Sequence, residues 1–303
     1  MAMFNIYNEL VTRKYHTHFW SFATIFYICV GVITYVGPLL IAYYSLGFWL
    51  KESTYREQPE VRFKHDLILV LQGTSTVLGY STYNNFNTIL RNRLRTSTIK
   101  SQEVDENSDG RYDYLEFTLE MPINANEDVR SVQLLLFFHY KLHKYSSVEL
   151  ESLAYLHYDS GISGSSFYTD GDLLLKQKNP LSHKGSFTKF NTGIVDRTNT
   201  DVNALNLHSI LTNYQARNLT TDFIGRYPSW ISGKSTTFKI QTKIYYPEQT
   251  IIYRPGFWQL LKHAWIQYLA ILFIFMFIFG HVKSFIYENR LVATIIKKKH
   301  HND

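Results

Sequence analysis

Two long apolar stretches without charged side chains dominate the hydrophobic pattern. No Lys, Arg, Asp or Glu occurs between Lys14 and Lys51, or between Lys262 and Lys283. A membrane-spanning helix needs about 20 apolar residues, so residues 19–46 and 263–282 are each predicted to cross a bilayer. The first stretch would be about 42 Å long as one helix, longer than the ~30 Å hydrocarbon core. We therefore expect it to tilt or to kink at Gly37-Pro38. The alternative for each stretch is a buried core helix, but lone core helices this apolar are rare.

Tryptophans stand close to the ends of both apolar stretches. Tryptophan favours the membrane–water interface because its ring is apolar with one polar edge. Four tryptophans are therefore predicted to lie at membrane interfaces: Trp20, Trp49, Trp258 and Trp265. Neither stretch contains a charged residue, which argues against a transport pathway through these two helices alone.

The charge distribution predicts the orientation of the chain. Residues 1–18 and 283–303 together carry seven Lys or Arg and three Asp or Glu, whereas residues 51–262 are nearly balanced, with 24 against 22. Short basic flanks favour the cytosolic side. The predicted organisation is thus a cytosolic N-terminus (1–18), transmembrane helix 1 (19–46), an extracellular domain (47–262), transmembrane helix 2 (263–282) and a basic cytosolic tail (283–303).

The segment between the two apolar stretches alternates between apolar and polar residues with a period of two. Residues 115–121, 131–143, 147–158 and 237–246 show this pattern clearly and 65–72 and 172–177 more weakly, which predicts half-buried strands. Residues 201–217 instead show helical spacing, with Thr200 or Asp201 as the predicted N-cap. The predicted fold is therefore a membrane protein in which two transmembrane α-helices flank a mainly β, sandwich-like extracellular domain with one short helix.

Composition excludes several classes of protein. Aromatic residues make up 16% of the chain, which excludes a disordered protein. The single cysteine, Cys29, excludes an internal disulfide framework and a zinc finger. The net charge of +6 is spread along the chain, so nucleic-acid binding is not predicted.

The sequence contains no recognised catalytic motif: it has no G-x-S-x-G, no P-loop and no H-E-x-x-H. His139 and His143 fall on a predicted strand. Four residues on a strand span roughly 13 Å, too far for a shared metal ion. Both histidines are expected to be exposed.

The most specific chemical motif is an acidic stretch at residues 105–116. It fits the twelve-residue calcium loop D-x-[DN]-x-[DN]-G-x5-E at every constrained position. Gly110 would provide the sharp turn and Arg111 its backbone carbonyl, and the side-chain ligands would be Asp105, Asn107, Asp109, Asp113 and Glu116. The alternative is a solvated turn between strands, favoured by the strand pattern that follows the loop in place of a helix. Calcium is thus the one cofactor that the sequence indicates.

One glycosylation sequon is present, Asn218-Leu219-Thr220. The motif is short enough to occur by chance, so the alternative is an unmodified loop at a helix end. Its position in the predicted extracellular segment favours modification of Asn218.

Several short motifs follow one another along the chain, among them Gly47-Phe48-Trp49-Leu50-Lys51, Glu57-Gln58-Pro59, Gly171-Asp172-Leu173, Tyr214-Gln215, and Pro255-Gly256-Phe257-Trp258. In their order and spacing these motifs resemble the transmembrane protein 231 family, whose members are components of the ciliary transition zone. The resemblance covers nearly the whole chain, from the first span to beyond the second.

The resemblance implies a two-pass protein of the Meckel syndrome complex in the ciliary membrane. It implies partnership with tectonics, meckelin, other small transmembrane proteins and B9-domain proteins, in contact with membrane lipid. It also implies a non-enzymatic role in the diffusion barrier at the cilium base, in cilium assembly and in ciliary signalling. Two other classes remain open, a subunit of a two-span channel and an accessory subunit of a membrane pump, although familiar examples of both have disulfide-bonded ectodomains. An enzyme is a more distant alternative.

Overall fold

The computed structural model describes residues 14–45, 47–199, 201 and 205–297. The chain separates into two compact units. A helical unit is formed by Met1–Lys51 together with Pro255–Asp303, and a β domain by Glu52–Arg254.

The helical unit is built on two helices long and apolar enough to cross a membrane, α1 (Phe22–Tyr44) and α4 (Phe257–Glu288). A short antiparallel pair of strands links the segment before α1 to the segment after α4: β1 (Lys14–His16) pairs with β14 (Ile295–Lys297). Helix α1 has 23 residues, hence about 35 Å, close to the ~30 Å apolar core of a bilayer. Helix α4 has 32 residues and begins before the charge-free stretch.

Helices α1 and α4 pack along a row of small and β-branched residues on α1. The buried positions are Ala23, Val30, Thr34, Pro38 and Ala42. Helix α1 continues through Pro38, and the Tyr268 hydroxyl donates a 3.3 Å hydrogen bond to the Tyr35 carbonyl nearby. A Cβ on Gly37 would lie 2.7 Å from the Phe275 ring, so close contact of the two helices requires glycine there.

The β domain consists of twelve strands and three short helical segments among its described residues. The helical segments are α2 (Asn84–Leu90), a 3-10 turn (Arg91–Arg93) and α3 (Leu207–Gln215). The strands are β2 (Ser53–Glu57), β3 (Glu60–Gln72), β4 (Val77–Ser81), β5 (Thr98–Val104), β6 (Tyr114–Pro122), β7 (Ser131–Leu142), β8 (Ser147–Asp159), β9 (Gly164–Gln177), β10 (Ser186–Phe187), β11 (Leu219–Ser232), β12 (Thr237–Tyr245) and β13 (Gln249–Tyr253).

Two five-stranded sheets make up the body of the β domain. Sheet 1 has the order β10-β8-β7-β3-β4, and sheet 2 has the order β11-β9-β12-β6-β5. Most neighbours are antiparallel, but β12 pairs in parallel with β9 and β10 with β8. A separate two-stranded ribbon pairs β2 with β13, so that Ser53 faces Tyr253.

The main core lies between the two sheets. It is formed by the apolar faces that the period-two pattern predicts, with Leu115, Phe117 and Leu119 from β6 and Leu134, Leu136 and Phe138 from β7 fully buried. Phe63 connects the two sets, with its ring centroid 5.9 Å from that of Phe117 and 5.5 Å from that of Phe138. Aromatic side chains thus cross the whole space between the sheets.

A second apolar layer covers the outer face of sheet 1. Leu135 and Phe137 of β7 and Leu153 of β8 point into it, and α2 and α3 contribute Phe86, Ile210 and Tyr214. Sheet 1 is therefore buried on both faces.

The connection after β10, here called the strap (residues 188–199), crosses the same outer face. It is held by three buried polar side chains, two of which bond to its backbone and one to the side chain of Arg197. Glu151 accepts a hydrogen bond from Ile194 N at 3.0 Å, and Asn85 donates to the carbonyls of Asp196 and Asn199. Asp66 accepts a 2.7 Å bond from Arg197. These contacts attach the strap without regular secondary structure.

The predicted fold class is confirmed, with two membrane-length helices flanking a mainly β, sandwich-like domain. All six predicted strands are present, four nearly at their predicted bounds and two inside the longer strands β3 and β9. Helix α3 is confirmed as an element, but its predicted start is wrong: the N-cap is Asn206, whose side chain accepts from His208 N at 3.2 Å. Asp201 lies upstream of the helix, and Thr200 falls outside the described residues.

Candidate functional site

The acidic loop of residues 105–113 connects β5 to β6 and is held by its own side chains. Asp105 accepts hydrogen bonds from the backbone N–H groups of Asp109 and Gly110, at 3.2 and 2.9 Å. Asn107 accepts from Asp109 N, and Asp109 from Arg111 N. Gly110 has a φ of +86°, as the motif requires of its glycine. The loop is therefore a series of side-chain-capped turns.

The last two motif positions, Asp113 and Glu116, have bonding partners of their own. Asp113 accepts from Glu106 N at 2.8 Å and from the Gln58 side chain at 3.0 Å. Glu116 lies on β6 and forms a 3.4 Å ion pair with Lys243 of the neighbouring β12. In the described ranges, no group of three or more His, Cys, Asp and Glu side chains is arranged to hold a metal ion. The calcium site stays a prediction, and binding would require the loop to exchange several of these bonds for the ion.

Thermal unfolding with calcium and with chelator tests the calcium prediction. Because the loop carboxylates already accept backbone N–H groups, we expect the same unfolding midpoint for the full chain in detergent under both conditions. The double variant Asp105→Ala/Asp109→Ala should be less stable by about 1 kcal/mol through loss of turn hydrogen bonds. A midpoint that rises at millimolar calcium in the natural sequence, but not in the double variant, would instead establish a weak calcium site.

Burial shifts the pKa of two side chains of the β domain, Glu103 and His139. Burial raises the pKa of the Glu103 carboxyl, and the 2.6 Å hydrogen bond that it accepts from Phe63 N opposes that rise. Glu103 therefore binds the backbone of β3 and not the acidic loop. Burial also lowers the pKa of His139, which is half-buried and not exposed as expected, whereas His143 is exposed with Nε2 3.1 Å from Glu60.

The sequon lies at the end of α3, where β11 begins. Asn218 is half-buried, and its side-chain oxygen accepts a 2.9 Å bond from Asn179. Thr220 is buried within the first residues of β11. A glycan would be attached to the Asn218 side-chain nitrogen and would leave the oxygen that accepts from Asn179 in place. Glycosylation of this residue stays a prediction.

The four tryptophans predicted at membrane interfaces all belong to the helical unit. Trp20 and Trp258 are the most exposed, at 91% and 78%, and Trp49 and Trp265 are about half exposed. Trp20 precedes α1, and Trp258 is in the first turn of α4. Their depth in a bilayer stays a prediction.

The fold also brings together a group of cations that the sequence pattern does not predict. Arg56, Arg111 and Lys144 line one cleft of about 350 Å³ in the β domain. They come from three segments separated by more than thirty residues each, so no local motif could have indicated the cleft.

Comparison with known proteins decides the family. A sequence model of the family described as "Transmembrane protein 231" matches residues 1–296. The chain belongs to the transmembrane protein 231 family. Relatives carrying that name include those of Xenopus tropicalis, 40% identical over 97% of this chain and 96% of the relative, and Gallus gallus, 41% identical over 93% and 89%. The Mus musculus member is 40% identical over 97% and 95%.

Among solved structures, a cryo-EM structure of a proton-activated chloride channel aligns with 85% of this chain and 96% of its own. The identity is 8% and the TM-score is 0.25, too low to establish a common fold. Family membership therefore rests on the sequence matches.

Proposed function

We propose that this protein is a non-enzymatic structural component of the ciliary transition zone membrane. In this role it supports the membrane diffusion barrier, cilium assembly and ciliary signalling. Its partners would be tectonics, meckelin, other small transmembrane proteins and B9-domain proteins. The observation that carries the proposal is membership of the transmembrane protein 231 family over residues 1–296, together with the family role that the sequence resemblance implies.

The architecture is consistent with a role in assembly. Two apolar helices would anchor the chain, and the β domain has one continuous core between its sheets. A scaffold needs surfaces of fixed shape. Close packing on both faces of sheet 1 holds the β domain in one shape.

We further propose that both termini are cytosolic and that the β domain is extracellular. The support is the excess of Lys and Arg in the short flanks, where positive charge favours the cytosolic side. The sequon at Asn218 would then lie on the side where glycosylation occurs.

Imaging of a C-terminally tagged chain in a ciliated cell tests both proposals. We expect a ring at the cilium base, between the basal body and the axoneme. We expect the tag to be stained only after permeabilisation. Co-purification from the same cells should recover other transition-zone membrane proteins.

Two results would contradict the proposals. A diffuse plasma-membrane or endoplasmic-reticulum distribution, with a pump or channel subunit as the main co-purifying protein, would favour an accessory subunit instead. Staining of the C-terminal tag on unpermeabilised cells would reverse the orientation and leave the localisation result intact.

A further inference from the structure

Three cations line one cleft of the β domain: Arg56, Arg111 and Lys144. Arg56 belongs to β2, Arg111 to the acidic loop and Lys144 to the turn after β7. Within the described residues, none of these three cations forms an ion pair. Unpaired cations that converge on one cavity favour an anionic ligand.

Two of the cations are held in place without using up their hydrogen-bond donors. One guanidinium N–H of Arg111 donates to the Gln58 carbonyl, and the Lys144 ammonium donates to the Arg56 carbonyl at 2.9 Å. Arginine has five N–H donors and lysine three, so most remain available. Donors fixed before binding lower the entropy cost of capturing a ligand.

Two carboxylates also line the cleft and reduce its positive charge: Glu57, whose second oxygen is buried without a hydrogen-bond partner, and Glu248. Glu57, which is 6% exposed, accepts the backbone N–H groups of His143 and Lys144 at 2.7 and 3.1 Å and thereby fixes the turn that presents Lys144. Asp113 is bonded to Gln58 and Glu106. Glu248 is the exposed acid at the rim, and its charge opposes an anion.

We propose that this cleft binds a phosphate group, either as free phosphate or on a lipid headgroup. A guanidinium fork matches two oxygens of a tetrahedral oxyanion, and an ammonium group adds a compact point charge. The volume of about 350 Å³ falls in the ~300–1,000 Å³ range of small-molecule sites. Neither the family name nor the transition-zone proposal assigns such a ligand.

Calorimetric titration of the full chain with inorganic phosphate tests the proposal. The protein is held in nanodiscs of phosphatidylcholine at low salt. We expect binding that Arg56→Gln and Arg111→Gln each weaken about tenfold. Glu248→Gln should strengthen it about threefold by removing a like charge. Lys176→Gln removes an exposed cation outside the cleft and is the matched control, with affinity unchanged.

A second arm separates the two sources of phosphate. Nanodiscs that contain phosphatidic acid should raise the unfolding midpoint of the natural sequence and not of Arg56→Gln if the ligand is a headgroup. The midpoint of each variant without ligand controls for folding, and Arg56 is an exposed side chain whose loss leaves the core intact. Binding of either probe that depends on Arg56 supports the proposal. It is overturned if neither probe acts, or if Lys176→Gln weakens binding as much as the cleft variants.

Discussion

Replacing Phe117 by alanine should lower the free energy of unfolding of the β domain by about 3–5 kcal/mol, the usual cost of truncating a buried aromatic side chain. Phe117 is fully buried on β6 and contacts Phe63 of the opposite sheet. Phe63 in turn contacts Phe138. The cavity would therefore open in the middle of the aromatic row between the two sheets, where rigid β structure cannot collapse to fill it.

Urea unfolding of the full chain in detergent, followed by hydrogen exchange of β-domain peptides, measures this effect. Tyr227→Ala is the matched control: it also removes an aromatic ring from the β domain, but Tyr227 is 92% exposed at a bulge of β11. Its effect should stay within about 0.5 kcal/mol. If Phe117→Ala were as mild as the control, the core between the sheets would not be the main source of stability.

Replacing Glu151 by alanine should cost about 2–3 kcal/mol and release the strap from sheet 1. Glu151 is 4% exposed, pairs with Lys64 and accepts Ile194 N. Breaking a fully buried ion pair costs about 3–5 kcal/mol. The cost is smaller here because the Lys64 side chain remains 34% exposed and can regain water. The loss of the acceptor leaves the Ile194 amide unpaired.

Hydrogen exchange at Ile194 distinguishes a local release from general unfolding. In Glu151→Ala, strap peptides should exchange faster while β6 peptides keep their protection. Glu151→Gln retains an acceptor for Ile194 N and should preserve most of the strap protection. Equal loss of protection in strap and core would mean that Glu151 supports the whole sheet and not the strap.

The sequence predicts those elements whose hydrophobic pattern reflects one simple kind of burial. A membrane-length helix needs only apolar residues, and a strand buried on one face alternates strictly, as β6 does from Leu115 to Met121. The N-cap of α3 was misplaced because Thr200, Asp201 and Asn206 are all suitable capping residues, and only the tertiary position of the helix selects among them.

Elements that depend on tertiary contacts were missed or only half described. The continuous run Leu134-Leu135-Leu136-Phe137-Phe138 is typical of a strand buried on both faces, and it could have indicated the second apolar layer. Helix α2 begins Asn84-Asn85, which has weak helix propensity. It is held by the bonds of Asn85 to the strap and by burial of Phe86.

The pairing of Ser53 with Tyr253 places the two ends of the β domain next to each other. Its entry and exit points are cross-strand neighbours in the β2–β13 ribbon, so the chain leaves the domain where it came in. Domains with adjacent ends tolerate excision, circular permutation and transplantation into a foreign loop.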